Sequence, residues 1–471
     1  MARRSNPVVV LVSLAITVTM VLLVLWQWAD VHTTVAAEPV VEALADASMQ
    51  LGTPVLSVRR TPGVLSRAAN ARALRNQLVP LASRIGPSSC GSVAVDGLTV
   101  STVNEDLPVL PASTLKLVVA AVAVDVLGPD HRFTTTAHAD VAANGTIGGD
   151  LVLVGGGDPV LTTAAWLQDS GQTYPPINVT SLEALADAVV AAGVARIAGR
   201  VVGNGGRYDD ERFIPSWSEA IRVTEAGPYG ALMVNDARLP NAAVASDPAL
   251  GAAEVFTRLL LERGVEIAEE PAADSAAPTG VEIAAVESAP LSAIVAEMLV
   301  TSDDNTAELL VKEIGLSAGG EGSTAAGLTE VERRLQGWGI PSDGVVLVDG
   351  SGLSRDNRVT CRALMGVLQH GSIEDPVGQG LPVAAQSGTL VAEFEETPMA
   401  GVLRGKTGSL TDVKGLVGYV PSPDGAVIEF ALVLNENAIQ QDAFRDVWER
   451  LLAEALASYP SGPRADQLAP R

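Results

Sequence analysis

A serine and a lysine stand three residues apart where a long apolar run begins. The stretch Pro111–Leu117 reads PASTLKL and contains Ser113 and Lys116. Residues at this spacing are neighbours on a helix surface, so a helix that continues to Leu127 would bring the two side chains together. That helix would be apolar on nearly all sides, which predicts that it is buried and holds the pair rigidly.

Such a pair can do nucleophilic chemistry. A serine hydroxyl is a weak nucleophile until a base removes its proton. Lysine can be that base when burial or nearby positive charge favours its neutral amine, whereas arginine stays protonated. The chain has 31 lysines and arginines, of which only four are lysine, so each lysine invites a chemical explanation. The four are Lys116, Lys312, Lys406 and Lys414.

Two further motifs follow in the chain. Chance alone would give about 0.3 Ser-x-x-Lys matches with four lysines, so the first motif is weak by itself. Lys406 begins a Lys-Thr-Gly-Ser segment, and about 0.02 Lys-Thr-Gly matches are expected by chance. Between them, Ser302 and Asp303 open a helix, where either residue could be the N-cap. The order of the three motifs indicates a serine nucleophile with two lysines in one site.

Composition excludes several other functions. The chain has 471 residues, which is enough for two or three domains, and strand-like runs alternate with helical ones. A net charge of −24 argues against nucleic-acid binding. The four histidines lack ligand spacing, so we expect neither a metal site nor a cofactor. The triple glycine at 155–157 lacks the lysine of a phosphate loop and is interpreted as a turn. The acidic residues 209–211 are interpreted as a solvated face.

The N-terminus predicts export. Arg3 and Arg4 precede Pro7–Trp28, a stretch of about 22 residues without charge that would span roughly 33 Å as a helix. Positive residues in front favour a cytoplasmic N-terminus, with the rest of the chain outside. We expect an uncleaved single-pass transmembrane helix in the cell membrane. The alternative is a secreted protein, cleaved near Thr34–Ala37.

Local patterns predict parts of a sheet. Residues 90–100 alternate around Asp96-Gly97 like a hairpin, and residues 414–420 and 426–434 read as an antiparallel pair. Cys90 and Cys361 could form a disulfide outside the cell. Their separation in sequence says nothing about their proximity, so the sequence does not decide whether the two cysteines are bonded.

Several stretches together resemble one family. Ser-x-x-Lys, Ser-x-Asn and Lys-Thr-Gly in this order are typical of penicillin-binding proteins and class A β-lactamases. Finer similarities cover roughly residues 80–455 and resemble the class C low-molecular-mass penicillin-binding proteins. These are D-alanyl-D-alanine carboxypeptidases/endopeptidases of the penicillin-binding protein 4 type. The similar stretches are GDLVLVGGGDP at 149–159, DGSGLS at 349–354, GTL at 388–390 and KTGSL at 406–410.

The resemblance implies an α/β (α+β) fold. It would be a serine β-lactamase/DD-peptidase-like transpeptidase domain with a large inserted domain of mostly-β or mixed structure. The insertion accounts for the separation of 189 positions between Ser113 and Ser302. The expected organisation is an N-terminal anchor or signal segment (1–30), a spacer (31–78), the first part of the peptidase domain (79–136), the inserted domain (137–285), the second part of the peptidase domain (286–458) and a tail (459–471).

The resemblance also implies residue roles. Ser113 would attack the penultimate D-Ala carbonyl of peptidoglycan stem peptides, with Lys116 as general base and Ser302 as proton relay. Lys406 and Thr407 would bind the terminal carboxylate. The backbone N–H groups of Ser113 and Ser409 would form the oxyanion hole. β-Lactam antibiotics would be covalent inhibitors.

One position departs from the family pattern. The usual Ser-Asp-Asn has become Ser302-Asp-Asp304, with Asn305 one step later. Either Asp304 takes the role of the asparagine, or the helix start shifts so that Asn305 does. Two other functions remain as hypotheses. A β-lactamase would need a deacylating base, for which no Glu-rich loop is evident, and a catalytically weak or inactive cell-wall scaffold would be favoured by Asp304.

Overall fold

The computed structural model describes residues 16–28, 61–168, 174–238, 244–437, 439 and 443–468. Helices are numbered in chain order. They are α1 (16–28), α2 (Thr61–Gln77), α3 (Val79–Arg84), α4 (Leu115–Leu127), α5 (Ala164–Leu167), α6 (Leu182–Ala191), α7 (Glu219–Thr224), α8 (Pro248–Glu262), α9 (Leu291–Thr301), α10 (Asp304–Gly319), α11 (Thr324–Gly337), α12 (Cys361–His370), α13 (Pro376–Gln379), α14 (Ala443–Arg445) and α15 (Ala453–Ala457).

Short helices of other types complete the helical structure: 3₁₀ helices at Ala112–Thr114, Asn235–Ala237 and Gly388–Leu390, and a π-helix at Asp446–Leu452. The strands are β1 (Cys90–Val95), β2 (Leu98–Val103), β3 (Thr134–Ala139), β4 (Thr146–Ile147), β5 (Leu151–Val154), β6 (Leu161–Thr162), β7 (Thr180–Ser181), β8 (Arg196–Ile197), β9 (Val201–Asn204), β10 (Glu266–Ile267), β11 (Ala272–Ala273), β12 (Val281–Glu287), β13 (Arg404–Leu410), β14 (Val413–Pro421) and β15 (Val427–Asn435).

A five-stranded antiparallel sheet carries the third motif on its edge. Its strand order is β13-β14-β15-β1-β2, so the Lys-Thr-Gly strand β13 has β14 on one side only. The predicted β14–β15 pair is confirmed, with Lys414 opposite Leu434. The predicted hairpin is confirmed too: β1 and β2 pair through a turn in which Asp96 and Gly97 have φ of 47° and 75°.

Apolar side chains cover both faces of this sheet, within the compact unit formed by residues 68–462. The predicted helix after Ser113 is confirmed as α4, which is buried along most of its length, from Leu115 to Ala123. It belongs to a cluster with residues of α9, α10, α11 and α12. A second cluster joins residues of α2 and α3 to the C-terminal helices and includes Leu74. The folded chain thus includes residues of the predicted 31–78 spacer.

A second sheet lies between the first and second motifs in sequence. Its strand order is β11-β9-β5-β3-β12, with parallel and antiparallel pairs. Together with α6 and α8 it forms an apolar cluster of its own, made of residues between Ala137 and Ala284. This mixed sheet agrees with the secondary structure expected of an insertion. The domain bounds given above remain a prediction.

The two cysteines form a disulfide. Cys90 begins β1 and Cys361 begins α12, their Cα atoms are 5.9 Å apart, and both residues are fully buried. The covalent link therefore fastens α12 to the sheet.

Among the described residues, no helix is both long and apolar enough to cross a membrane. The predicted transmembrane segment at 7–28 is described from residue 16 onward, as α1, and its first residues lie outside the described part.

Candidate active site

The candidate nucleophile lies on a strained turn. Ser113 is in the 3₁₀ helix that precedes α4, and the residue before it, Ala112, has φ of 47°. A positive φ is uncommon for a residue other than glycine and occurs preferentially at functional sites. The turn packs closely against the loop at 349–354. A Cβ on Gly352, whose φ is 88°, would lie 2.0 Å from the Ala112 carbonyl oxygen, so only glycine fits there.

The structure brings Lys116 to Ser113. The Lys116 side chain is fully buried, and its Nζ donates to Ser113 Oγ at 3.0 Å. The same Nζ donates to Asp304 Oδ1 at 2.6 Å and to the Ser351 carbonyl at 2.7 Å. The three acceptors match the three protons of an ammonium group, so the amine is held in one place.

Ser302 occupies the junction between α9 and α10. It ends α9 in the left-handed conformation, with φ of 64°, and Asp303 is the N-cap of α10, where it accepts from the N–H of Thr306. The sequence left Ser302 and Asp303 as alternative caps, and the structure has Asp303. Ser302 Oγ is therefore available to the site, where it accepts a hydrogen bond from Lys406 Nζ at 2.9 Å.

Lys406 is fully buried on β13. Besides Ser302, its Nζ donates to the Thr407 carbonyl at 3.0 Å. Burial and the positive charge of Lys116 hold the pKa of Lys406 well below its usual range. The neighbouring Thr407 Oγ1 donates to Thr389 Oγ1 at 2.8 Å, which links Lys-Thr-Gly to the GTL segment at 388–390.

The outer edge of β13 faces the site. The N–H of Gly405 donates outward, to the Pro382 carbonyl. Since backbone groups alternate sides along a strand, the N–H groups of Thr407 and Ser409 lie on the same outer edge. Ser409 is exposed, and its Oγ accepts from Lys414 Nζ at 3.1 Å. This edge can pair with an extended peptide.

Asp304, and not Asn305, contacts Lys116. Asn305 is 6% exposed and lies beside Asp236 and Gly227, and its Oδ1 has no hydrogen-bond partner among the described residues. The structure thus favours the first of the two alternatives left by the sequence, in which Asp304 takes the place of the family asparagine.

Burial raises the pKa of several carboxyl groups here. The pKa of Asp304 is raised to about 6 by burial, against the opposing effect of Lys116. The pKa of Asp236 is raised to about 7, by burial and then by the charge of Asp303. Burial also raises the pKa of Asp303 itself. The helix start at Asp303 therefore carries carboxyl groups that titrate closer to neutrality than usual.

These residues line one cleft of about 980 Å³. Ser113, Ser302, Asp304, Thr407 and Ser409 all reach it, and aromatic and charged side chains form other parts of its wall, among them Trp166, Tyr174, Glu225, Arg355 and Lys414. The cleft is large enough for a peptide. Four hydroxyl groups line it, those of Ser113, Ser302, Thr407 and Ser409, and the buried Lys116 and Lys406 lie behind Ser113 and Ser302.

Sequence reasoning missed some contributors. It assigned no role to the DGSGLS loop, whose Ser351 carbonyl binds Lys116, or to Thr389.

The DGSGLS loop is held by two buried carboxyl groups. Asp349 accepts from the N–H groups of Gly352 and Ser354, at 2.8 and 2.6 Å. Glu308 accepts from the N–H of Ser351 at 2.8 Å, and burial next to Asp349 raises the pKa of Glu308 to about 8. The signal that could have pointed to this loop and to Thr389 was the resemblance of DGSGLS and GTL to family motifs.

Comparison with known proteins gives a consistent result. The sequence profile described as the D-Ala-D-Ala carboxypeptidase 3 (S13) family matches residues 92–245 and 229–455. A carboxypeptidase of Mycobacterium tuberculosis is 33% identical over 347 residues, which cover 70% of this chain and 72% of that protein. A D-alanyl-D-alanine carboxypeptidase of Actinomadura sp. is 31% identical over 415 residues, which cover 69% of this chain and 73% of that protein.

Solved structures show a similar fold. Penicillin binding protein 4 of Haemophilus influenzae superposes with a TM-score of 0.67 at 20% identity, covering 80% of this chain and 98% of that one. That protein has also been solved in complex with a β-lactam.

Proposed function

The chain belongs to the D-Ala-D-Ala carboxypeptidase 3 (S13) family and is a serine-type D-Ala-D-Ala carboxypeptidase/endopeptidase of the penicillin-binding protein 4 type, and from this premise we propose that it cuts peptidoglycan stem peptides through an acyl-enzyme on Ser113. The observation that carries the proposal is the 3.0 Å contact between Lys116 Nζ and Ser113 Oγ. A buried amine at hydrogen-bond distance from a serine hydroxyl is the arrangement that an activated serine needs.

Acylation proceeds by transfer of one proton. The neutral amine of Lys116 takes the Ser113 Oγ proton while Oγ bonds to the carbonyl carbon of the penultimate D-Ala. The C–N bond to the terminal D-Ala then breaks, and its nitrogen takes a proton that Lys116 returns through Ser302. Water subsequently adds to the ester, which releases the shortened peptide and restores the Ser113 hydroxyl.

Binding uses the edge of β13. Lys406 and Thr407 hold the carboxylate of the terminal D-Ala, because a cation and a hydroxyl suit an anion. The N–H groups of Ser113 and Ser409 hold the oxyanion that forms in the transition state. The outward orientation of the Ser409 N–H supports this assignment. A β-lactam carboxylate and its ring amide fit the same positions, so we expect covalent inhibition.

Labelling with a fluorescent penicillin tests the proposal. Full-length protein in detergent is incubated with the probe, and the modified peptide is identified by mass spectrometry. We expect one stable adduct, on Ser113, and none in a Ser113→Ala variant that keeps the wild-type melting temperature. Folded wild-type protein that takes no label under any condition would contradict the assigned nucleophile and favour the scaffold hypothesis. Rapid turnover of a chromogenic β-lactam would favour a β-lactamase.

The N-terminal stretch is further proposed to anchor the enzyme, with the catalytic region outside the cytoplasm. The run from Pro7 to Trp28 carries no charge, and the large apolar side chains described in α1 are exposed. If the stretch anchors the chain, the expressed protein stays in the membrane fraction after washing with high salt. Release into the washed supernatant would contradict the anchor.

A further inference from the structure

We propose that Asp304 is the counter-ion that holds Lys116 as an ammonium in the resting enzyme, so that acylation of Ser113 is gated by the charge on Asp304. This inference rests on the proposed function, since it concerns the base of that reaction. It goes beyond the family pattern, in which a neutral asparagine stands where this chain has Asp304.

The contacts of Lys116 suit two states of its amine. As an ammonium it donates to Ser113 Oγ, to Asp304 Oδ1 at 2.6 Å and to the Ser351 carbonyl at 2.7 Å. As a neutral amine it keeps two donors for Asp304 and Ser351, and its lone pair faces the Ser113 hydroxyl. The geometry is therefore ready for proton abstraction, and the charge of the neighbours decides which state is populated.

Asp304 and an asparagine differ in charge and not in shape. Either side chain can offer an Oδ1 to the amine at this distance, but only the carboxylate stabilises the ammonium over the neutral amine. The Asp304 side chain is 12% exposed, so solvent screens the interaction weakly. Acylation of wild-type enzyme must then overcome an ion pair that an asparagine would not form.

Other charged groups also face Asp304. Asp303 precedes it on the same turn, Glu225 directly follows α7, and Lys406 on β13 interacts with both Asp304 and Lys116. Asp303 and Glu225 act on Asp304 in the same sense as burial and raise its pKa, whereas Lys116 lowers it. Of these groups, Lys116 makes the direct ion pair with Asp304, so we assign the gating to this contact.

The sign of the pH dependence follows. An ionised Asp304 favours the ammonium, so a higher pH is needed before the neutral amine forms. The acid limb of the acylation rate therefore lies at a higher pH in wild type than in Asp304→Asn. At pH 7, Asp304→Asn should acylate at least about ten-fold faster.

The test measures the second-order rate of acylation by fluorescent penicillin from pH 5 to 9, with full-length wild type, Asp304→Asn and Asp303→Asn. Asp303→Asn is the matched control, because it neutralises the adjacent carboxyl group and asparagine can still cap α10. We expect the acid limb to move to lower pH in Asp304→Asn and to move much less in Asp303→Asn. Melting temperatures check that all three proteins are folded.

The outcomes separate the two proposals. A labelled wild type whose profile is unchanged by Asp304→Asn overturns the gating and leaves the nucleophile intact. Equal shifts in both variants also overturn it, because the contact with Lys116 would then not matter. Labelling of Asp304→Asn at a pH where the wild type is labelled only slowly supports the gating. If neither protein is labelled, the assignment of Ser113 fails, and the gating fails with it.

Discussion

At the scale of single residues, two buried lysines lie behind one cleft, each bonded to a serine that lines it, and they differ in their surroundings. Lys116 has a carboxylate among its three acceptors, whereas both acceptors of Lys406 are neutral oxygens. Because two ammonium groups in a buried site repel each other, the site is most stable when one of them is neutral. Burial and the charge of Lys116 lower the pKa of Lys406, and the carboxylate of a bound peptide would favour its charged form again.

Ser302 accepts a hydrogen bond from Lys406, and removal of its hydroxyl should lower the acylation rate. We expect Ser302→Ala to acylate about 100-fold more slowly with penicillin, the effect of losing a positioned proton-transfer group. The rate of adduct formation at pH 7 measures this change. The neighbouring Thr301→Ala is a suitable control, because the Thr301 hydroxyl bonds to the Glu297 carbonyl of its own helix. Equal rates in Ser302→Ala and wild type would remove Ser302 from the relay.

The types of the site residues were predictable from sequence, but which residue after Ser302 contacts Lys116 was not. We expected four residues to converge, and the structure brings them together as two hydrogen-bonded pairs: Ser113 with Lys116, and Ser302 with Lys406. Whether Asp304 would meet Lys116 depended on the left-handed turn at the end of α9. A backbone conformation at a single residue decides that question, and no periodicity in the sequence encodes it.

At the scale of elements, the site depends on the contact between an edge strand and the turn before α4. Strand β13 lies so close to this turn that a Cβ on Gly408 would be 2.7 Å from the Pro111 carbonyl oxygen and 3.0 Å from Thr114 Cγ2. The glycine of Lys-Thr-Gly is therefore a spacing requirement. It sets the distance between the nucleophile and the strand that would bind the peptide.

Gly408→Ala should widen this gap. We expect it to reduce acylation strongly and to lower the free energy of unfolding by about 1–3 kcal/mol, because the added methyl group overlaps backbone atoms. Penicillin labelling and denaturant unfolding measure the two effects. Gly337→Ala, at the end of α11 with no atom within 4 Å of the added Cβ, is the control and should change neither. Normal labelling of Gly408→Ala would show that the strand tolerates displacement.

Elements with strong periodicity were predicted well, and irregular ones were not. The buried α4 and the β14–β15 pair are confirmed because an unbroken apolar run and a two-residue alternation are each distinctive. Residues 443–457 have the amphipathic pattern of a single helix, but they consist of α14, a π-helix and α15. An amphipathic pattern favours a helix but does not specify which hydrogen bonds it makes, so the π-helix at Asp446–Leu452 could not be foreseen.

At the scale of the whole molecule, polar contacts join the segment between the first two motifs to α10. Glu313 on α10 accepts hydrogen bonds from Arg207 and Tyr208. Lys312 on α10 forms an ion pair with Asp209 and donates to the Glu211 carbonyl. Asp209 and Asp210 are exposed, as the interpretation of 209–211 as a solvated face predicts, whereas Glu211 is partly buried. Such partners lie about a hundred positions apart, and local sequence patterns carry no information about them.

The disulfide is a second long-range link, and its removal should affect stability more than catalysis. Cys90 and Cys361 are 271 positions apart, so the bond constrains the unfolded chain over a long loop. We expect the Cys90→Ala/Cys361→Ala variant to lose about 2–5 kcal/mol of unfolding free energy. It should still be acylated on Ser113, because Lys116 and Ser302 are held by contacts of their own.

Denaturant unfolding with and without reductant separates the bond from the sulfur atoms. Reductant should lower the unfolding midpoint of the wild type and leave that of the double variant unchanged, since only the wild type has a bond to lose. Penicillin labelling at low denaturant then reports on the site in both proteins. A wild-type midpoint that reductant does not move would contradict a stabilising bond. A stable but unlabelled variant would mean that the link positions the nucleophile through α12 and the sheet.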